Sequence, residues 1–243
     1  MKSGPPPNVD SVRVTQGEAI AHKPGGVQNR LRVLGRMCEL RGRRLLEIGC
    51  ANGDYAAELT ATFGQVVAID MDPTQLPVAI ERGVPAARMS AGVLGFPDAT
   101  FDMVLAIEVL EHVDSVAEVA ADVFRVLRPG GMFCITSPNR WFPLEMHTVR
   151  LFGHRVLGRY LPFLPYVPAL HRRVSDARNF KASELRSVLV PIGFREREVD
   201  YVIPPFDGWK LGYAYLRPIL QHIERWPLRV VVGVSIAAVY QKP

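Results

Sequence analysis

Apolar and polar stretches alternate along this chain in blocks that have the lengths of strands and helices. The aliphatic runs 45–48 and 66–69 have the character of buried strands, and each carries a carboxylate close to its end. Residues 27–40 instead place apolar side chains at helical spacing, which predicts a helix just before the first strand. From residue 43 to residue 136 the predicted strands and helices alternate, which favours a parallel sheet with helices on both faces.

The segment 141–178 breaks this alternation. Four prolines within it exclude a long helix and a central strand. A helix resumes near residue 182, and a second irregular segment precedes the last predicted strand. We therefore divide the chain into a flexible N-terminus and one domain with two cap insertions, with these ranges: 1–26, 27–243, about 140–180 and 204–228.

The first predicted strand opens into a glycine-bearing turn, and the second strand ends at Asp70. Because glycine has no Cβ, such a turn lets a ligand approach the backbone closely. A carboxylate after the second strand accepts hydrogen bonds from ribose hydroxyls in nucleotide-binding α/β folds. The turn lacks the G-x-G-x-x-G spacing that cradles a pyrophosphate. The pattern therefore predicts a cofactor that contains a nucleoside but is not a dinucleotide.

The turn residues Glu47, Gly49, Ala51 and Gly53 resemble motif I of the class I S-adenosylmethionine (SAM) methyltransferases, with Ala51 in place of the middle glycine. Later segments resemble further motifs of that family in the same order, at residues 101–106, 108–113 (EVLEHV), 125–131 (RVLRPGG) and 136–140 (TSPNR). The resemblance implies SAM as cofactor and a Rossmann-like α/β fold with a mostly parallel seven-stranded sheet. The chain looks most like the ubiquinone and small-molecule branch of the family.

The resemblance also implies roles for single residues in cofactor binding. Asp70 would accept both ribose hydroxyls, and Glu47 would orient the loop and approach the methionine ammonium. The family usually has an aspartate at the adenine, and here that place falls on Ser90. The residues that we expect to bind SAM are Glu47, Gly49, Cys50, Gly53, Asp70, Met71, Ser90, Ala91 and Glu108.

Glu108, Glu111 and His112 have the spacing i, i+3, i+4, which predicts one helical face. Two branches of the family use a similar trio for a divalent ion, and carboxylates and imidazole are suitable ligands. Many family members have the same letters and use no metal. In that alternative, which we favour, His112 packs against the loop after strand five and Glu111 remains solvated.

His147 and His112 are the candidate catalytic residues. His147 follows the predicted fifth strand, where an imidazole would act as general base on a hydroxyl acceptor or would position the lid. His154 and His171 are weaker candidates. In the first helix, Arg30 would either reach the SAM carboxylate or lie on the surface, and we favour the surface.

Composition excludes several classes of protein. Three cysteines among 243 residues form no disulfide framework, which is typical of a reducing compartment. The N-terminus has no apolar h-region, and the longest apolar stretch, 230–240, is too short to span a membrane. We therefore expect a soluble, cytoplasmic protein.

The net charge of +5 is concentrated in the first cap insertion. Nine basic residues and three acidic residues lie between positions 140 and 186, together with aromatic residues that include Trp141, Phe142, Phe152, Tyr160, Phe163 and Tyr166. A basic, aromatic segment suits an anionic substrate, a membrane surface or nucleic acid. A solvated lid with aromatic residues packed on the core is the plain alternative.

We expect a SAM-dependent methyltransferase of a small or lipid-like acceptor, with O-methylation preferred, no metal and no nucleic acid. An RNA 3′-end 2′-O-methyltransferase is the second interpretation, although its fourth metal-ligand histidine aligns near Asp176. A non-catalytic partner protein of the same fold is the third, and its support comes from Ala51 and Ser90.

Overall fold

The structure, a computed structural model, describes residues 24–203 and 228–243. The helices and strands follow in this order: α1 (Pro24–Met37), β1 (Gly42–Ile48), α2 (Asp54–Leu59), β2 (Phe63–Asp70), α3 (Leu76–Glu81), β3 (Ala86–Arg88), β4 (Phe101–Ile107), α4 (Val116–Val126), β5 (Leu127–Pro138), β6 (Thr148–Leu151), β7 (His154–Leu157), α5 (Pro168–Val174), α6 (Ala182–Ile192), β8 (Arg195–Val202), α7 (Arg229–Val232) and β9 (Ser235–Gln241).

Seven strands form one sheet in the order β3-β2-β1-β4-β5-β9-β8. Strands β1 to β5 are parallel to their neighbours, and β9 is antiparallel to both β5 and β8. The predicted seven-stranded, mostly parallel Rossmann-like sheet is therefore confirmed. The strand order reverses between β1 and β4, and open α/β sheets bind ligands at the carboxyl ends of the strands beside such a reversal.

Apolar side chains fill both faces of the sheet. Leu46 and Ile48 point to one face, which α4 and α6 cover. Leu45 points to the other, where it packs with buried residues of α1 and α2, Leu34 and Tyr55 among them. This alternation follows from the two-residue period of a strand, and it buries β1 on both sides. The expected helices on both faces are confirmed.

The first cap insertion contains a two-stranded hairpin, β6–β7, and the short helix α5. Phe152 and Gly153 connect the two strands, and both have positive φ, as a two-residue hairpin turn requires. Helix α5 begins at Pro168, where proline is tolerated because the first helical N–H has no partner.

Two boundaries need comment. Helix α1 begins at Pro24, so residues 24–26 belong to the helix and not to a flexible N-terminus, because φ of proline suits a first helical position. The second cap insertion, 204–228, lies outside the described residues except for its last position. In the described part of the chain, no helix has the length and apolar character needed to cross a membrane.

Candidate functional site

The loop after β1 adopts the conformation that motif I predicts. Gly49, Ala51 and Gly53 have φ of 67°, 45° and 69°, so every second residue is left-handed. Ala51 keeps this left-handed conformation although it is strained for a residue with a Cβ and unstrained for glycine. A Cβ on Gly49 would lie 2.4 Å from Cγ2 of Val109, so glycine there lets the turn after β4 approach the loop.

Glu47 lies beneath this loop. Its carboxylate is buried, and Oε2 accepts a hydrogen bond from the backbone N–H of Ala56 at 2.9 Å. Burial raises the pKa of Glu47 to about 8, because low polarity disfavours the charged form. Burial likewise raises the pKa of the Cys50 thiol, which accords with a structural residue and not with a nucleophile.

Asp70 ends β2 and binds the loop from the side. Its Oδ2 accepts from the N–H of Ala51 at 2.7 Å, and its Oδ1 accepts from the N–H of Asp72 at 2.8 Å. Each carboxylate oxygen has a second lone pair, so both still accept from a ligand. Met71 and Ser90, which we expected to bind SAM, have exposed side chains. Both lie at the same edge of the sheet as Asp70, because Met89 N–H donates to the Asp70 carbonyl. Ala91 follows them in sequence, half-buried.

The preference for a surface position of Arg30 is wrong. Arg30 is 3% exposed, and its Nη2 donates to Oε1 of Glu108 at 3.1 Å and to Oγ of Ser235 at 3.2 Å. The reason is that α1 lies across the carboxyl edge of the sheet, with Asn29 bound to the carbonyl of Ile203. Nη1 of Arg30 is buried and has no hydrogen-bond partner among the residues that the structure describes.

Glu108 occupies the tip of β4 in a left-handed conformation, with φ of 54°. Oε1 accepts from Thr136 Oγ1 at 2.9 Å as well as from Arg30. Although burial opposes ionisation, the Arg30 guanidinium lowers the pKa of Glu108 below its usual range. An ionised carboxylate therefore sits at the expected cofactor position, with its charge already balanced.

The segment 108–113 is a turn and not the predicted helix face. The positive φ at Glu108 prevents a helix from beginning there. Helix α4 begins only at Val116, and Ser115 caps it because its Oγ accepts from Glu118 N–H. Arg178 holds the turn with Nη2 bound to the Leu110 carbonyl at 3.1 Å.

Glu111 is buried, so the expectation that it remains solvated is also wrong. The turn directs it inward, where Oε2 accepts from Ser137 Oγ at 3.3 Å. Within 24–203 and 228–243, Oε1 has no hydrogen-bond partner. His112 lies as expected against the loop after β5, with its ring centroid 5.5 Å from that of His147.

His147 is held by a carboxylate that sequence reasoning missed. Its Nδ1 lies 2.9 Å from Oε1 of Glu145, whose buried side chain also binds His171 and Asn179. Although burial opposes it, hydrogen bonds from the two histidines lower the pKa of Glu145 to about 2. The Glu-x-His spacing could have indicated the contact between Glu145 and His147. The contacts of Glu145 with His171 of α5 and with Asn179 depend on tertiary packing, which spacing does not indicate.

Glu111, His112 and His147 bring their ligand atoms within 4.8 Å of one another. Two histidines and one carboxylate match the donor set of Zn²⁺, Mn²⁺ or Fe²⁺ more closely than that of Mg²⁺. Glu108, the third member of the predicted trio, is instead engaged by Arg30. The site can therefore use His147 as a base or as a ligand, and one nitrogen cannot do both.

Comparison with known proteins identifies the family. Residues 46–135 match the family described as a methyltransferase domain. A probable SAM-dependent methyltransferase of Mycolicibacterium smegmatis is 32% identical over 173 residues, which cover 69% of this chain and 56% of the relative. A ubiquinone biosynthesis O-methyltransferase of Burkholderia multivorans is 26% identical, over 68% of this chain and 78% of its own length. The chain spans about half the length of the first curated relatives it matches.

Solved structures share the fold. A SAM-dependent methyltransferase from Mesorhizobium loti has a TM-score of 0.63 at 18% identity, covering 89% of this chain and all of that one. Phosphoethanolamine N-methyltransferase 2 of Haemonchus contortus, in complex with SAM, has a TM-score of 0.61 at 20% identity, covering 91% of this chain and 54% of that one. With its sheet order, its motif I loop and these relatives, the chain belongs to the class I SAM-dependent methyltransferases.

Proposed function

We propose that this protein transfers the methyl group of SAM to a hydroxyl of a small or amphipathic acceptor. The observation that carries the proposal is His147, an imidazole fixed by a buried carboxylate beside the carboxyl ends of β4 and β5. Its Nδ1 is hydrogen-bonded to Glu145, so Nε2 of His147 is left to face an acceptor. Relatives named as ubiquinone biosynthesis O-methyltransferases support transfer to oxygen.

The residues around the motif I loop fit SAM. Its ribose hydroxyls would bind the carboxylate of Asp70, and the glycine loop would admit the methionine part close to the backbone. Arg30 Nη1, which is buried without a partner in the described part of the chain, would bind the methionine carboxylate. Ser90 and Ala91 would contact the adenine. SAM supplies an activated methyl group, and the protein supplies binding and alignment.

The residues of the acceptor side would handle the proton. His147 Nε2 would accept the proton of the acceptor hydroxyl, and Glu145 would stabilise the resulting imidazolium. The oxygen would gain the methyl carbon as the carbon–sulfur bond of SAM breaks, and the sulfur would leave as a neutral thioether. This arrangement follows the logic of a base that is oriented by a carboxylate. His112, in ring contact with His147, would bound the acceptor pocket.

We propose that this reaction needs no metal. The RNA 3′-end methyltransferase interpretation would require a fourth ligand near Asp176, but that carboxylate binds Arg155 at 2.9 Å and Arg150 at 3.3 Å. The non-catalytic interpretation rested on Ala51 and Ser90, and of these Ala51 keeps the left-handed conformation of the loop. We place the activity in the cytoplasm, since the three cysteines are free.

The test is transfer of labelled methyl from SAM to a panel of phenolic and aliphatic hydroxyl acceptors, with EDTA in one arm and Mn²⁺ or Zn²⁺ in the other. We expect O-methylated product in EDTA, and loss of at least about 100-fold in rate for His147→Ala. His154→Ala, on the exposed strand β7, is the matched control. Product that forms only with added metal would overturn the metal-free mechanism, and product on nitrogen or carbon would overturn O-methylation.

A further inference from the structure

The first cap insertion exposes an unusual amount of apolar surface. Seven of the sixteen exposed large hydrophobic residues in the described chain fall within the 148–174 segment. They are Phe152, Leu157, Tyr160, Phe163, Tyr166, Val167 and Leu170. Together with the arginines of the same segment, we call this set the cap surface. Scattered exposed apolar residues need no explanation, but such a concentration marks an interaction site.

The tip of the β6–β7 hairpin is the most exposed part of the cap surface. Phe152 is fully exposed, and it has φ of 49°, a conformation that bulky L-residues rarely adopt. Phe163 is also exposed and has φ of 65°. Phe152 is strained and yet buries nothing, which is costly to the isolated protein, and strained residues of this kind cluster at functional sites.

The charged residues of the cap surface are all basic. Five arginines and no acidic residue lie between positions 148 and 174. In the hairpin, Arg150 and Arg155 pair directly across the two strands, and the alternate residue Val149 is buried against the protein. Because neighbouring residues of a strand face opposite sides, these arginines point outward. The carboxylate of Asp176 balances part of their charge.

The segment that carries the cap surface also contacts the candidate site through two buried residues. Gly158 N–H donates to the carbonyl of His147 at 3.0 Å, and a Cβ on Gly158 would lie 2.4 Å from Cγ of Glu145. His171 of α5 binds Glu145 directly. A surface that rests against the cap would therefore lie beside the residues that hold His147.

We propose that the cap surface docks on a bilayer that contains anionic lipid. Arginines attract anionic headgroups, and the aromatic and aliphatic side chains enter the interface between headgroups and acyl chains. Exposed aromatic rings beside five arginines, of whose charge Asp176 balances only part, are complementary to such a bilayer. Docking does not depend on methyl transfer, so it stands or falls apart from the proposed reaction.

The test is co-sedimentation of the full chain with vesicles of phosphatidylcholine alone or with about a third phosphatidylglycerol. We expect at least tenfold more bound protein with the anionic vesicles, and a loss of most of it at high salt, because screening weakens the attraction of arginines. The double variant Phe152→Asn, Phe163→Asn should reduce binding at least fivefold. Asparagine tolerates positive φ, so these changes preserve the backbone.

Ile80→Asn, an exposed apolar position on α3, is the matched control and should bind as the parent does. Circular dichroism and the unfolding midpoint establish that each variant is folded. Docking by the cap surface is contradicted if neither vesicle binds, if both vesicles bind equally, or if the double variant binds as the control does. Sedimentation of the protein as an oligomer without vesicles would assign the surface to contacts between copies of this chain instead.

Discussion

At the scale of single residues, the ion pair between Arg30 and Glu108 organises the centre of the candidate site. Both side chains are almost fully enclosed. Thr136 adds a hydrogen bond to Glu108, and Ser235 adds one to Arg30. A buried pair is stabilising only relative to breaking it, since either partner alone would be an unpaired charge in a medium of low polarity. The pair therefore links helix α1 to the tip of β4.

Arg30→Gln should lower the free energy of unfolding by about 3–5 kcal/mol, because it leaves Glu108 buried without its counter-charge. It should also weaken SAM binding, since Nη1 is lost. Denaturant unfolding and calorimetry measure the two effects. Arg32→Gln, on the exposed side of the same helix, should change neither by much. Equal effects of the two variants would mean that Arg30 has no special role.

Glu145→Gln should lower kcat by at least about 100-fold and leave the affinity for SAM within a factor of two, because it disturbs the histidine and not the cofactor loop. An amide offers His147 a donor as well as an acceptor and no longer stabilises an imidazolium. The matched control is Glu184→Gln on α6, where the native carboxylate pairs with Arg140. An unchanged kcat would remove Glu145 from the account.

At the scale of elements, strand β1 is joined to its neighbour β4 by the side chain of Asp102 as well as by the backbone hydrogen bonds of the sheet. Asp102 of β4 accepts from the N–H groups of Arg43 and Arg44 at 3.0 and 2.7 Å, and it also pairs with Arg128. Although burial opposes it, these partners lower the pKa of Asp102. The ionised form is thus favoured in the folded protein.

A carboxylate with a lowered pKa stabilises the protein above its unfolded pKa, and this stabilisation is lost as the pH falls toward the folded value. The advantage of the parent over Asp102→Asn should therefore be complete at pH 7 and should shrink below about pH 4. Urea unfolding at several pH values measures it. Asp98→Asn, which removes an exposed carboxylate, should show a much smaller difference, and a difference independent of pH would contradict the assignment.

The motif I loop offers a test of close packing between elements. Gly49→Ala combines a positive φ with a contact of 2.4 Å to Val109, whereas Gly83→Ala meets no atom within 4 Å at a similar φ of 81°. Gly83→Ala should cost about 1 kcal/mol of stability through strain alone, and Gly49→Ala about 1–3 kcal/mol more through crowding. Only Gly49→Ala should also weaken SAM binding. Equal losses in unfolding experiments would show that the turn after β4 does not press on the loop.

At the scale of the whole molecule, the sheet was predictable because its signals are local. The runs of β1 and β2 and the glycines between them lie within a short stretch of chain, and each follows from side-chain period and turn chemistry. The cofactor loop was predictable for the same reason.

Other parts of the site depend on contacts that sequence spacing does not contain. The helical period of α1 does not say which face packs against the sheet, so the burial of Arg30 was missed. The i, i+3, i+4 spacing of Glu108, Glu111 and His112 predicted a helical face that does not form, because Glu108 has a positive φ. Glu145 and His171 meet across 26 residues, which no local pattern signals.

The central claim is that this chain binds SAM through its motif I loop and Asp70 without a metal. Calorimetric titration of SAM into cofactor-free protein in EDTA tests it most directly. We expect one site with a Kd in the micromolar range, unchanged when Mn²⁺ replaces EDTA and weakened at least tenfold by Asp70→Asn. Absence of binding in EDTA, or binding to which Asp70→Asn makes no difference, would contradict it.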